Sequence, residues 1–280
     1  MTKIRQAIVE VAVARKGGGK TYTTAKRIEM YLKDTPTKLG KKVLIYDVNG
    51  EWTDKHIRDN LKCNFTARPL AIKDLLAWTH NGVVECRRIL PLDDKNRFTQ
   101  DIDVMVQILD KILITFRNGK LLLEDINAYL VDVSSKRVIS AITRNRQKNL
   151  DIMLHYQSFR AIPPRIWANL NILRFHKCNE NVATVEAKLN NSELFYIAQA
   201  LVNYKFKSNI RFYCVVDNEF DKIAGQFSKN DFRTATLIYL TENKPDILRL
   251  SINRFGNTPQ GIETAQEYCI EELVQRYFGN

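Results

Sequence analysis

The chain has 280 residues, with 43 Lys+Arg against 31 Asp+Glu, a formal net charge of +12 and a pI near 9.4. With 45% hydrophobic and 26% charged residues it has an ordinary globular composition, which excludes a disordered or collagen-like chain. The positive excess favours an acidic partner, nucleic acid ahead of an anionic membrane surface.

The first apolar stretch, Ala7 to Ala14, is too short and too broken by charge for a signal peptide or a membrane span. No later run reaches about 18 apolar residues, so no membrane insertion is expected. Five scattered cysteines (Cys63, Cys86, Cys178, Cys214, Cys269) form no C-x-x-C pair and read as buried, reduced thiols of a cytosolic protein.

Short β-branched runs alternate with amphipathic segments, the pattern of an α/β domain with a mostly parallel central sheet and helices on both faces. Ala7 to Ala14 is a predicted strand, Lys20 to Lys33 a helix, and Val43 to Asp47 a second strand. Val83 to Leu90 follows as a third. The helix predicted from Thr99 to Phe116 places Ile102, Met105, Val106, Leu109, Ile112 and Leu113 on one face. Leu121 to Leu123 is a short apolar strand, Ser135 to Lys148 a helix, and Asp151 to Tyr156 and Ile172 to Phe175 are strands. Ala183 to Tyr204 then reads as a helix and Ile210 to Val216 as a strand. Thr236 to Leu240 and Ile247 to Ile252 read as a possible strand pair. Thr258 and Pro259 form the N-cap and first turn of a last helix. The expected division is a motor-sized domain over 1–205 and an α+β extension over 206–280, either separate from it or part of the same domain.

The segment Ala14-Arg-Lys-Gly-Gly-Gly-Lys-Thr21 matches G-x-x-x-x-G-K-[ST] except at its first position, and it lies between a strand and a helix. Such a loop wraps backbone N–H groups around phosphates, and the helix N-terminus adds a favourable partial charge. The expected nucleotide contacts are Arg15, Lys16, Gly17, Gly18, Gly19, Lys20, Thr21 and Tyr22. Lys20 would reach the β- and γ-phosphates of ATP, and Thr21 would offer its hydroxyl to Mg²⁺.

A phosphate loop of this kind needs carboxylates from the end of a neighbouring strand. Lys120-Leu-Leu-Leu-Glu-Asp125 supplies them. Glu124 is assigned to Mg²⁺ through water and Asp125 to orienting the attacking water, with the division open by one residue. Val43-Leu-Ile-Tyr-Asp-Val-Asn-Gly-Glu-Trp52 ends a second strand in acids, from which Glu51 could contribute to water activation. Asn149-Leu-Asp-Ile-Met-Leu-His-Tyr-Gln157 is an apolar strand ending in a glutamine that can donate and accept at a γ-phosphate.

These elements, in this order, resemble the FtsK–HerA superfamily of DNA-pumping P-loop ATPases of the additional-strand type. The turn Asp47, Gly50, Glu51, Trp52 is similar to that superfamily's D-x-x-G-E-aromatic turn, and Gln157 to its sensor residue. The resemblance spans about residues 5 to 180 and departs from the pattern at Ala14 and in the Glu124-Asp125 order. It implies a sensor strand inserted between the phosphate-loop strand and the acidic strand. It also implies a pentameric or hexameric ring in which an arginine completes the neighbour's site. Arg144 and Arg146 are the first candidates, with Arg160 and Arg165 behind them.

A phosphate loop opening at residue 14 implies a bare motor without the barrel of cellular HerA or the membrane segments of FtsK. That arrangement looks like viral genome-packaging ATPases, with DNA as cargo and a capsid vertex or portal-like protein as a possible further partner, in the host cytoplasm or at the virion vertex. Alternatives are a ParA–MinD type ATPase, disfavoured by Arg15 and Gln157; a Zot-type assembly ATPase, which normally carries a membrane segment; and a non-catalytic DNA-binding virion protein with a degenerate loop.

Between Lys136 and Lys177 lie nine basic residues (Lys136, Arg137, Arg144, Arg146, Lys148, Arg160, Arg165, Arg174, Lys177) and one acid, Asp151. Such a stretch would hold a nucleic-acid backbone without reading bases. Tyr156, Phe159 and Trp167 within it are expected chiefly in the core, with stacking on unpaired bases as the alternative.

Overall fold

The computed structural model describes residues 7–35, 39–129, 139, 140, 142 and 144–280. These residues pack as two compact units, one holding the chain up to Ala12 with Gly19–Gln157 and Ala161–Leu170, the other Val13–Gly18, Ser158–Arg160 and Asn171–Asn280.

In the first unit, β1 (Val9–Val13) leads into α1 (Lys20–Leu32). Then come β2 (Lys42–Tyr46), α2 (Asp54–Asp59), β3 (Ala67–Pro69), α3 (Leu75–His80), β4 (Cys86–Ile89), α4 (Ile102–Thr115), β5 (Gly119–Leu123), β6 (Asp151–Tyr156) and the one-turn α5 (Pro164–Trp167). The strand order is β3-β4-β2-β5-β6-β1. From β3 through β6 every pairing is parallel. This is a mostly parallel sheet with helices around it, the P-loop NTPase fold expected from the sequence. Strand β6 lies between the phosphate-loop strand and the acidic strand β5, which is the additional-strand order.

Strands β1, β2, β5 and β6 are buried at every residue, as strands covered on both faces must be. Ala25 and Ile28 of α1 pack with Val43 and Ile45 of β2, Leu122 of β5, Met153 of β6 and Trp52 in one core cluster. That packing fixes the helix that follows the phosphate loop over the strands that carry the acids.

In the second unit, β7 (Ile172–His176), β8 (Tyr213–Asp217) and β9 (Lys222–Gly225) pair antiparallel. They are accompanied by α6 (Ser192–Phe206), α7 (Lys229–Asn243), α8 (Pro245–Phe255) and α9 (Pro259–Tyr277). Thr258 caps α9 and Pro259 opens it, as expected.

Several expectations are corrected. Thr236–Leu240 and Ile247–Ile252 are not strands, since they lie in α7 and α8. The buried residues Phe232, Ala235, Thr236, Tyr239 and Leu240 recur at helical spacing, and a Ser228–Asp231 capping box starts the helix. The helix expected from Ala183 is a 3₁₀ segment, Val182–Lys188, followed by α6, which Asn191 caps. The third strand shortens to Cys86–Ile89, with Val83 and Val84 exposed, and the strand expected at Ile210 begins at Tyr213. The short strands β3 and β9 gave no readable alternation. Of the helix expected over Ser135–Lys148, residues 135–138, 141 and 143 lie outside the described residues, and Asn145–Lys148 form a 3₁₀ turn. None of the five cysteines forms a disulfide, and all are buried.

Gly119 starts β5 where a Cβ would come within 2.8 Å of the Lys42 carbonyl oxygen and 2.6 Å of the Phe116 ring. At Gly82 an added Cβ meets nothing within 4 Å. Gly119→Ala is expected to destabilise by about 1–3 kcal/mol in denaturant unfolding, against about 0.5 kcal/mol or less for Gly82→Ala.

Candidate nucleotide site

The phosphate loop owes its shape to its glycines. Gly17 and Gly19 have φ of 75° and 83°, a region that side chains disfavour. Gly18 is required for space, because a Cβ there would lie 2.8 Å from the Ala14 methyl and 3.0 Å from the Arg15 carbonyl oxygen. Ala14 is fully buried and has no positive φ, so alanine is tolerated where the motif has glycine. The first turn of α1 holds no acidic residue, and Gly19 gives no side-chain cap, which leaves the helix N-terminus open to an anion. Thr23 turns its hydroxyl back to the carbonyls of Gly19 and Lys20 at 3.1 and 3.0 Å.

Arg15 and Lys16 are exposed, and the Arg15 guanidinium stacks 5.0 Å from the Phe206 ring centroid. The Arg15 N–H donates to the Lys177 carbonyl at 3.1 Å, anchoring the start of the loop. Tyr22 is partly buried against the core cluster, with the Lys26 ammonium 5.7 Å from its ring.

The two expected metal residues meet: the Thr21 hydroxyl donates to Glu124 Oε1 at 3.3 Å. Glu124 is 4% exposed and is surrounded by donors. The Trp52 indole N–H reaches its Oε2 at 2.6 Å. His155 Nδ1 lies 3.4 Å from Oε1, while its Nε2 is 2.8 Å from the Thr24 hydroxyl of α1. Burial pushes the Glu124 carboxyl up to about 7, with the Asp47 and Asp125 charges adding to it and the Trp52 and Thr21 hydrogen bonds opposing.

Asp125 follows in the left-handed region, with φ 41°. Its carboxylate accepts from Asn49 Nδ2 at 3.0 Å and from Gln157 Nε2 at 3.3 Å. The expected sensor glutamine therefore contacts the expected water-orienting acid. Glu51 is exposed as a residue, yet partial desolvation of its carboxyl and then the charge of Glu124 raise it, with His56 opposing and Asp125 and Asp47 adding smaller contributions.

Asp47, by contrast, is fully buried as the pin of its turn. It accepts from the N–H groups of Glu51 and Trp52 at 3.0 and 3.1 Å and pairs with Arg88 at 2.8 Å. Gly50, at φ 69°, lets that turn close. Among the described residues, no hydrogen bond links Arg144 or Arg146 to this cluster, and both are exposed.

The structure adds His155, Trp52 and Arg88 to the residues expected from sequence. His155 was legible in one respect, since it stands two positions before Gln157 and so points to the same face of β6. Arg88, distant in sequence, gave no signal.

Other basic residues divide. Arg160 and Arg165 are exposed, Arg174 is fully buried in β7 and cannot face a polyanion in this fold, and Lys136 and Arg137 lie outside the described residues. Tyr156, Phe159 and Trp167 are buried, as core packing requires. The residues just after Gln157 are held by Glu180, whose carboxylate accepts from the Ser158 hydroxyl at 2.9 Å and the Phe159 N–H at 2.7 Å.

ATP and Mg²⁺ fit this donor set. A hydroxyl and a carboxylate are hard oxygen ligands, and the loop is a cradle that a Cβ at position 18 would fill. No cluster of three or more His, Cys, Asp or Glu that could hold a metal occurs among the described residues. Among the described residues, no helix is long and apolar enough to cross a membrane.

No protein-family model and no curated protein matches the chain. Similar solved structures include the genome packaging NTPase B204 of Sulfolobus turreted icosahedral virus 2 with ATP-gammaS, at 12% identity and TM-score 0.46, covering 78% of this chain and 95% of that one. B204, the DNA-packaging ATPase of Sulfolobus turreted icosahedral virus, is similar at 14% identity and TM-score 0.47, with 78% and 95% covered. The N-terminal domain of zonular occludens toxin from Neisseria meningitidis has 12% identity and TM-score 0.32, covering 65% and 91%. All three TM-scores are below 0.5, and the reading of this site rests on its own residues.

Gly18→Ala is expected to weaken ATP binding at least about tenfold in a titration, and adding Ala14→Gly to restore part of it by removing the methyl clash. Glu124 gives a pH dependence. The folded form holds its proton more tightly than the unfolded chain, whose carboxyl has the ordinary value of 4.5. The nucleotide-free protein therefore loses about 1–3 kcal/mol of stability as pH rises from below 4.5 through about 7. Melting curves of Glu124→Gln should lack that decline.

Proposed function

We propose that this chain is a P-loop ATPase that couples ATP hydrolysis to DNA translocation, with viral genome packaging as its task. The observation that carries the ATPase reading is the convergence, at the ends of adjacent strands, of the Thr21–Glu124 pair and the Asp125–Gln157 pair next to an open helix N-terminus.

In this reading the loop amides of Gly17 to Thr21 and the Lys20 ammonium bind the phosphates. Arg15, Lys16 and Tyr22 flank them. Thr21 and, through water, Glu124 would hold Mg²⁺, which when bound neutralises charge on the phosphate oxygens. Asp125 orients the attacking water and accepts its proton at a carboxylate oxygen, and the nearby Glu51 carboxylate supports that role. Gln157, bonded to Asp125, senses whether the γ-phosphate is present and passes its loss into the turn held by Glu180.

The DNA part of the reading is supported by the net charge of +12, the exposed arginines after β5 and β6, and the motif order shared with the FtsK–HerA superfamily. Sequence-independent transport needs phosphate contacts rather than base contacts, which such arginines supply. Assembly into a pentameric or hexameric ring is part of the proposal. Arg144 or Arg146 there stabilises transition-state charge in the neighbouring copy. The motor domain is proposed to span 1–205, with 206–280 as an extension, and to work in the host cytoplasm or at a virion vertex against a portal-like protein.

The test is steady-state phosphate release with and without DNA. DNA should stimulate hydrolysis several-fold, and Lys20→Ala should lower it at least about a hundredfold while leaving the melting temperature within a few degrees. Full activity in folded Lys20→Ala would remove the site assignment, and hydrolysis indifferent to DNA would remove the translocase reading.

A further inference from the structure

Glu124 needs more than burial to serve a cation. Its side chain has three torsions, and a carboxylate that rotates freely offers its oxygens in many directions. Here one oxygen is capped. The Trp52 indole, which can only donate, gives its N–H to Oε2 at 2.6 Å. Oε1 is left to Thr21 and His155, at 3.3 and 3.4 Å.

Trp52 is itself immobilised from several sides. Its ring is fully buried and packs with Ala25, Ile28, Leu122 and Met153. Its backbone N–H donates to Asp47 Oδ2 at 3.1 Å, and Asp47 is paired to Arg88 at 2.8 Å. A phenylalanine would fill much of the same space, yet it has no donor at its edge. Since Trp52 is fully buried, bulk water has no ready route to replace the lost N–H.

We infer that Trp52 is a positioning residue for the metal site: the Arg88–Asp47 pair fixes the backbone at Trp52, core packing holds its indole, and the indole fixes Glu124 so that Oε1 faces the Thr21 hydroxyl. This rests on the reading that Thr21 and Glu124 serve Mg²⁺. The turn after β2 then bears on nucleotide chemistry through a residue that touches neither nucleotide nor metal.

The test titrates MgCl₂ into protein saturated with ATPγS, by calorimetry, for the wild type and Trp52→Phe. Trp52→Phe is expected to weaken apparent Mg²⁺ affinity about tenfold or more, while ATPγS binding in EDTA changes less than about twofold. Unchanged Mg²⁺ affinity in folded Trp52→Phe overturns the inference. So does an equal loss of metal-free ATPγS binding, which would mark a general structural role. If the wild type itself shows no Mg²⁺-dependent ATPγS binding, the underlying metal reading fails instead, and the inference falls with it.

A second measurement stands without the variant. The Trp52 indole N–H resonance, assigned in ¹H–¹⁵N spectra by comparison with Trp78→Phe and Trp167→Phe, should move when Mg²⁺ is added to the ATPγS-bound wild type. A resonance that stays in place overturns the inference even where Trp52→Phe does not fold.

Discussion

The site depends on one buried carboxylate. Taking Glu124 out of water is costly unless its oxygens are occupied. Three elements brought together by the sheet supply the partners: Thr21 from the start of α1, Trp52 from the turn after β2, and His155 from β6. None is near Glu124 in sequence. The parallel order β2-β5-β6 places Trp52 and His155 beside the carboxyl end of β5, and α1 brings Thr21 to the same carboxylate, so register in the sheet is a condition of these contacts.

The two buried acids of this region are treated differently. Asp47 is neutralised by Arg88 and spends its oxygens on the backbone of its own turn. Glu124 is met by an indole, a hydroxyl and an imidazole, and burial dominates its proton affinity. A buried carboxylate with such partners is poised to gain from a divalent cation, whereas Asp47 already has its counter-charge. Two acids at strand ends thus divide into a structural pin and a carboxylate without a counter-charge of comparable strength, by their neighbours rather than their residue type.

The site was more legible in the sequence than the second unit was. The glycine loop, the acidic strand end and the terminal glutamine each lie within a few consecutive residues, so motif spacing, and for Gln157 the superfamily resemblance, singled them out as candidates. Trp52 and Glu51 stood in the same readable turn, but reading their roles needed the third dimension, in which the indole faces Glu124 and the acid faces solvent. In the second unit, the apolar run Thr236–Leu240 looks like a strand in a short window. Only the wider window containing Phe232 and the Ser228–Asp231 cap shows the helical period. Arg174 counted as part of a basic surface until β7 buried it.

The sequence by itself determined the fold class and singled out the glycine loop and Thr21, Glu124, Asp125 and Gln157 as candidate residues. Strand hydrophobicity, glycine geometry and strand-end acids are local properties. The tertiary structure decided which of these residues touch, that Ala14 makes glycine obligatory at 18, and that Arg88, Asp47 and Trp52 form a chain ending on Glu124. Those facts depend on distances between segments far apart along the chain, and such distances are set when the sheet pairs and the core closes.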